Sequence, residues 1–95
     1  MAYRLSRKAE EDIIQIYVAG VEMFGAEQAE RYHEGLEHTF DFLSRFPFAA
    51  AVRTGLQGSP RIHAYRSHIV VYRLDGKHIL IQRVRHASED WVAPP

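Results

Sequence analysis

Arginine and histidine side chains that could contact phosphate or an acidic partner are concentrated in the second half of this 95-residue chain. Between residues 61 and 85 the only acid is Asp75. Uncompensated like charges on neighbouring strands repel one another, so this concentration favours a surface that binds an anionic or acidic partner. A structural role is equally compatible, since arginine stems can cover apolar surface and Arg83 could pair with Glu89 or Asp90. The candidate target-binding residues are Arg61, Arg66, Arg73, Arg83, Arg85, His86 and Trp91.

Three of these residues could in principle cleave RNA without a metal. That reaction needs a group that activates the 2′-hydroxyl, a cation that stabilises the phosphorane and an acid for the leaving oxygen. Arg66, Arg83 and His86 could supply these roles, although a histidine at the end of a strand is more often a packed or capping residue. A nuclease therefore stays open as one hypothesis.

The composition of the chain and the spacing of its histidines argue against cysteine chemistry and a helical zinc site. The chain has no cysteine, which excludes disulfides, thiolate catalysis and cysteine-ligated zinc. His33-Glu34 and His38 invite comparison with the helical zinc signature, but a spacing of five separates the imidazoles by about 140° around a helix. One metal cannot readily bind both. We predict surface histidines there, and neither a metal nor a cofactor.

Most of the candidate residues lie on two strand-like runs, 68–73 and 78–86, on either side of Asp75-Gly76. This dipeptide is typical of tight hairpin turns, because glycine accepts positive φ and aspartate tolerates it. Centring the turn there fixes the pairing of the two strands and places the paired side chains on one face. The predicted pairs are Leu74 with Lys77, Tyr72 with Ile79, Val70 with Ile81 and His68 with Arg83.

Two amphipathic helices are predicted ahead of this hairpin. Ser6 is a suitable N-cap for the first, which runs for about 18 residues to Gly25. The second is expected from about Ala26 to Phe46, where Pro47 ends it. Its apolar stripe faces the core, and its acids lie about 200° around the axis, facing water. The stripe is Ala29, Tyr32, Leu36, Phe40 and Leu43, and the acids are Glu27, Glu30, Glu34, Glu37 and Asp41.

Short strands at 2–5 and 61–65 complete the order β-α-α-β-β-β, with a loop over 48–60. A helical hairpin on one face of a small, largely antiparallel sheet makes an α+β fold, and residues 1–95 are expected to form a single domain. Residues 1–50 hold five Lys/Arg and nine Asp/Glu, and residues 51–95 hold seven and three, so the neutral chain has a basic C-terminal half. No stretch reaches the roughly 18 apolar residues that span a bilayer, and no signal-peptide core is evident. We expect a cytoplasmic protein with no membrane partner.

The two ends of the sequence resemble a known toxin family. Tyr3-Arg-Leu-Ser6 with Ala9, Glu11, Asp12 and Ile16 is similar to the opening of the ParE-type toxins, within the RelE/ParE superfamily of toxin–antitoxin systems. The segments 65–73 and 81–86, followed by Asp90-Trp91, resemble that family's final hairpin and tail. The resemblance spans nearly the whole chain.

This resemblance implies a toxin, of a kind linked to plasmid stabilization, that a ParD-type antitoxin wraps and neutralises in a hetero-oligomer. ParE relatives act on DNA gyrase and stabilise its cleaved complex with DNA, whereas RelE relatives cut messenger RNA on the ribosome. RelE-like nucleases tend to be strongly basic, while this chain is neutral and has two lysines.

We therefore favour a gyrase inhibitor that acts by protein–protein contact and needs no catalytic residues. The alternatives are a RelE-like ribosome-dependent endoribonuclease and a non-toxic antitoxin-binding module. The antitoxin is expected to place an amphipathic segment in an apolar groove beside the helical hairpin, with its acids on the basic sheet edge.

Overall fold

A computed structural model describes residues 2–88 of the chain. The sheet has the strand order β1-β4-β3-β2, in which β1 runs parallel to β4 and the other neighbours are antiparallel. The predicted element order and α+β class are confirmed. Within residues 2–88 no helix combines the length and the apolar character that crossing a bilayer requires. The elements are β1 (Tyr3–Leu5), α1 (Arg7–Phe24), α2 (Ala26–Arg45), β2 (Arg61–Tyr65), β3 (His68–Asp75) and β4 (His78–His86).

Local capping residues set the helix boundaries, as predicted. The Ser6 side chain accepts a hydrogen bond from the Ala9 N–H at 3.0 Å, and its hydroxyl donates to the Gln82 carbonyl at 2.8 Å. Ser6 therefore caps α1 and also links its start to β4 through a hydrogen bond. Gly25, at φ 91°, separates the two helices in a conformation that glycine adopts without steric cost. Pro47 follows the end of α2 by two positions.

The core lies between the helical hairpin and one face of the sheet. On α2 the predicted stripe is buried, except that Tyr32 is only half-buried, and the five predicted acids are exposed. The contacts between α1 and β4 place Ile13 over the same cluster. The buried cluster comprises Ala9, Ile13, Leu36, Phe40, Leu43, Ala50, Val70, Tyr72, Ile79, Ile81 and Val84.

The register of the β3–β4 hairpin is two residues away from the prediction near its turn. Asp75 pairs with His78, so the loop residues are Gly76 and Lys77 rather than Asp75 and Gly76. Gly76 has φ 65°, which explains why glycine stands first in this loop. A shift of two residues leaves every side chain on its predicted face. Tyr72 thus lies opposite Ile81 instead of Ile79, and both remain in the core.

A β-bulge then shifts the register by one further residue. Tyr72 pairs with Ile81 but Val71 pairs with Arg83, so Gln82 is the extra residue of β4. Beyond the bulge His68 lies opposite His86, and the predicted pair of His68 with Arg83 is wrong. The extra residue also turns Val84 into the core, because unbroken alternation from Ile79 and Ile81 would place it on the opposite face of the sheet.

Candidate functional site

A groove of about 690 Å³ lies between the helical hairpin and the ends of β3 and β4 that are farthest from their turn. Its helical wall is largely apolar, and the end formed by the sheet is polar and cationic. We call this feature the groove. Its helical wall includes Ile16, Gly20, Met23, Phe24, Ala29 and Leu36, and its sheet end includes Arg66, Ser67, His68, Arg83, Arg85 and His86.

Tyr32, His68 and His86 form a chain of contacts at the sheet end of the groove. The Tyr32 hydroxyl lies 2.6 Å from His68 Nδ1, and the imidazoles of His68 and His86 meet edge to face with centroids 5.3 Å apart. Burial raises the pKa of Tyr32 above its usual value, partly offset by a hydrogen bond with the Ser67 backbone. The hydroxyl therefore keeps its proton at neutral pH. His86 Nδ1 accepts a hydrogen bond from the Ser88 N–H at 3.1 Å.

Arg83 is held by Asp12, a partner that the sequence analysis did not name. Its Nε and Nη2 donate to the two carboxylate oxygens at 2.8 and 3.1 Å, and the Val84 N–H donates to Asp12 Oδ2 at 3.0 Å. The Asp12 side chain is only 14% exposed and that of Arg83 is 30% exposed. Asp12 thus lies against the edge of β4 just beyond Ile81, the last residue of β4 that pairs with β1. The predicted partners Glu89 and Asp90 lie outside the described residues.

Arg66 stands in a strained backbone position beside the groove. Arg66 and Ser67 form the predicted turn between Tyr65 and His68, which pair with each other. Arg66 has φ 50°, a left-handed conformation that costs about 1–2 kcal/mol for a residue with a Cβ. Its guanidinium lies 5.8 Å from the centre of the Tyr65 ring. A glycine would fit this turn with less strain, so the arginine side chain is a candidate for function.

The other predicted site residues lie apart from one another. Arg85 borders the groove and is paired with Ile69 across the hairpin, whereas Arg73 donates to the Leu74 carbonyl near the hairpin turn. Arg61 donates to the Ala50 carbonyl at 2.7 Å and lies over the Phe48 ring. Trp91 lies outside the described residues. The structure therefore brings Arg66, Arg83, Arg85 and His86 to one groove and leaves Arg61 and Arg73 outside it.

The histidines of α2 have ordinary helix-surface contacts. His33 lies 3.7 Å from Glu37 one turn later and meets the Tyr17 ring edge to face. His38 is exposed. Within residues 2–88 no three side chains of metal-ligating type converge on one point.

Comparison with known proteins identifies the family. A family model described as "ParE toxin of type II toxin-antitoxin system, parDE" matches residues 3–91. The chain belongs to the ParE toxin family. It is 35% identical to the protein named Toxin ParE1 of Caulobacter vibrioides over 86 residues, which cover 90% of this chain and 88% of that protein. The resemblance read from the sequence is confirmed.

A solved structure supports the fold. The chain superposes on a structure titled "Chromosomal ParDE TA system from P. aeruginosa" with a TM-score of 0.78, covering 90% of this chain and 95% of that one. The two share 24% sequence identity, so the likeness concerns the fold.

For this ParE-family chain, sequence reasoning found the cations of the groove but missed the residues that hold them. Asp12 carries a detectable signal, because it lies three residues after Ala9 and four before Ile16 on the buried face of α1. A carboxylate on such a face needs a partner. Tyr32 was assigned to the apolar stripe, and nothing local indicates that its hydroxyl contacts His68.

Proposed function

We propose that this ParE-family chain inhibits DNA gyrase through protein–protein contact and that a ParD-type antitoxin neutralises it by occupying the groove. Membership of the family makes the chain a toxin of the type II toxin–antitoxin class. Gyrase as target and a ParD-type antitoxin as partner are the finer parts of the proposal, and each has its own test.

The state of Arg83 supports a non-enzymatic mode of action. In a metal-free ribonuclease a cation must be directed at the phosphate, where negative charge develops. Here the guanidinium of Arg83 donates two hydrogen bonds to Asp12, and Asp12 also accepts from the strand backbone. Redirecting Arg83 to a substrate would leave a largely buried carboxylate without its cation. The set of Arg66, Arg83 and His86 is therefore poorly suited to catalysis.

The two sides of the groove match an amphipathic acidic segment. An antitoxin helix could place apolar side chains against Ile16, Met23 and Phe24, as helices do in grooves of this kind. Its acids would then meet Arg66 and Arg85 at the sheet end, where opposite charges speed association and fix orientation. The groove lies beside the helical hairpin, where we expect the antitoxin to bind.

A supercoiling assay tests the gyrase part directly. Purified toxin added to DNA gyrase and relaxed plasmid is expected to abolish supercoiling, and preincubation with the cognate antitoxin is expected to restore it. Undiminished supercoiling at a large molar excess of folded toxin would contradict gyrase as the target. Transcript mapping after induction covers the nuclease alternative: cuts at defined codon positions that disappear in His86→Ala would establish it.

A matched pair of variants on α1 tests the antitoxin part. Met23 lines the groove and is 72% exposed, whereas Ile14 lies outside it and is 62% exposed. Met23→Glu should weaken antitoxin binding at least about tenfold, since it buries a charge in an apolar contact. Ile14→Glu should leave the affinity unchanged in calorimetric titration. Equal affinities for the two variants would place the antitoxin elsewhere.

A further inference from the structure

A second surface, on the β2 side of the molecule, exposes large apolar side chains. Phe46 is 58% and Phe48 71% exposed, and Phe42 and Val52 are also exposed. None of these residues borders the groove. Exposed apolar residues that occur singly are ordinary, but a contiguous group marks an interaction site. We call this surface the aromatic patch; it consists of Phe42, Phe46, Phe48, Val52, Arg61 and His63.

The members of the aromatic patch form two groups of contacting side chains, which Arg61 and His63 join because they lie on the same face of β2. The rings of Phe42 and Phe46 lie 5.3 Å apart, and Phe42 lies 5.9 Å from the imidazole of His63. The guanidinium of Arg61, two residues along the same strand, lies 4.9 Å from the centre of the Phe48 ring. Val52 pairs with Arg61 in an isolated bridge. The patch is therefore one surface built from the end of α2, the following loop and β2.

Side-chain hydrogen bonds hold the backbone beneath the aromatic patch in place. The buried Tyr72 donates from its hydroxyl to the Pro47 carbonyl at 2.8 Å, and Arg61 donates to the Ala50 carbonyl at 2.7 Å. The Phe46 N–H continues the helical pattern by donating to the Phe42 carbonyl. A surface that is already ordered loses less conformational entropy on binding. Aromatic residues and arginine on such a surface are the usual composition of a binding hot spot.

The charges around the aromatic patch specify the chemistry of its partner. From residue 42 to residue 74 the sequence contains no Asp or Glu, while Arg53 and Arg61 lie on the loop and strand of this region. The acid that precedes Phe42, Asp41, is paired with Arg45 at 3.2 Å. A partner surface with an acidic rim around an apolar pocket would complement this arrangement.

We infer that the aromatic patch is the surface through which the toxin contacts its cellular target, and that this target presents an acidic protein surface with an apolar pocket. The inference rests on the proposed function, because it assigns the target and the antitoxin to different faces. Single-stranded nucleic acid also stacks on exposed aromatic rings. A protein partner is favoured because the chain as a whole carries no net charge, whereas nucleic-acid-binding domains are basic.

The test separates the two faces with one double variant, Phe46→Ser with Phe48→Ser, and the control Ile14→Ser. Both change well-exposed apolar residues, so both should fold, which circular dichroism would verify. The double variant should lose about tenfold or more in gyrase inhibition and in growth arrest without antitoxin. Its affinity for the cognate antitoxin should stay within about threefold of wild type, since the groove is intact. Ile14→Ser should match wild type throughout.

Other outcomes overturn the inference in identifiable ways. A double variant that arrests growth as wild type does would remove the patch from target binding. If wild type arrests growth but leaves gyrase active, the proposed target fails, and the growth assay still decides whether the patch is needed. A wild-type chain that does neither overturns both. Tight binding of an oligothymidine that the double variant loses would assign the patch to nucleic acid, and a dimer that the double variant dissociates would assign it to a second copy.

Discussion

The groove and the aromatic patch differ in whether their side chains are held by other parts of the fold. At the sheet end of the groove, polar side chains bind one another and other elements: Asp12 holds Arg83, and Tyr32 contacts His68. In the aromatic patch, rings such as that of Phe48 are exposed, and the backbone that carries them is held by a hydrogen bond from the buried Tyr72. The polar residues at the sheet end of the groove therefore contribute to stability as well as to the proposed contact with the antitoxin. The exposed rings of the patch can be changed at little cost to the fold.

This difference determines how loss of toxicity in a variant should be interpreted. A substitution at the sheet end of the groove can reduce activity by unfolding part of the chain, whereas a substitution of an exposed patch residue should act chiefly on the contact with the target that we propose. Stability must therefore be measured beside activity for every groove variant. The following substitutions test whether the contrast holds.

The largest effect is expected from Asp12→Ala. The change removes the largely buried carboxylate to which the Arg83 guanidinium and the Val84 N–H donate, so the free energy of unfolding should fall by about 2–4 kcal/mol. Asp41→Ala is the matched control, because it breaks an exposed ion pair with Arg45 one helical turn away and should cost less than about 1 kcal/mol. Urea denaturation measures both. Similar losses for the two variants would mean that the Asp12–Arg83 pair stabilises no more than a surface pair.

A pair of glycine substitutions tests the packing of the two helices against their neighbours. A Cβ at residue 35 would overlap the Tyr65 hydroxyl, so Gly35→Ala must displace that ring and should cost about 1–3 kcal/mol. A Cβ at residue 20 would lie 3.4 Å from the Cβ of Ala29, and alanine favours a helix interior. Gly20→Ala should thus lie within about 1 kcal/mol of wild type. Thermal unfolding compares the two; equal stability would show that Tyr65 moves without cost.

Tyr72→Phe tests the support of the aromatic patch. It removes the hydroxyl that donates to the Pro47 carbonyl and leaves that acceptor unpaired, at a cost of about 1–2 kcal/mol. Hydrogen exchange should increase in the loop after α2 and stay unchanged around Arg66. Increased exchange at both places would mean that the loop and the groove loosen together, against the separation drawn above.

The smallest change in stability is expected from Arg66→Gly. Glycine relieves the left-handed strain but adds entropy to the unfolded chain, so stability should remain within about 1 kcal/mol. Antitoxin affinity should nevertheless fall about tenfold, since a charge at the mouth of the groove is lost. Arg73→Ala, an exposed cation outside the groove, is the control for general charge effects. Equal affinities for the two variants in calorimetry would show that position 66 has no special role.

Element boundaries could be predicted because their determinants are local. Ser6, Gly25 and Pro47 stop or start helices through their own backbone chemistry, and the apolar stripe of α2 shows its period directly. The hairpin register could not be derived in the same way. Asp75-Gly76 and Gly76-Lys77 are both acceptable loops, and the bulge at Gln82 coincides with contacts from Ser6 and Asp12, more than 70 positions away.

The candidate site was predictable in composition and not in arrangement. The concentration of arginines pointed to the sheet end of the groove, but only the folded chain separates Arg83, held by Asp12, from Arg61, which lies with Phe48. The sequence does contain an indication of the aromatic patch, because Phe42, Phe46 and Phe48 lie close together and outside the apolar stripe of α2. Apolar residues away from the buried face must find another partner or remain exposed.

The parallel pairing of β1 with β4 has a consequence for synthesis of the toxin. A ribosome delivers the chain from its N-terminus, so β1 emerges long before the strand that it pairs with. The carboxylate of Asp12 likewise cannot bind Arg83 and Val84 until those residues have been synthesised. We expect a chain truncated after Gly76 to be digested rapidly by protease and to cause no growth arrest. Toxicity would thus begin only after β4 has been released, and the sheet end of the groove, which β4 helps to form, is completed at the same moment.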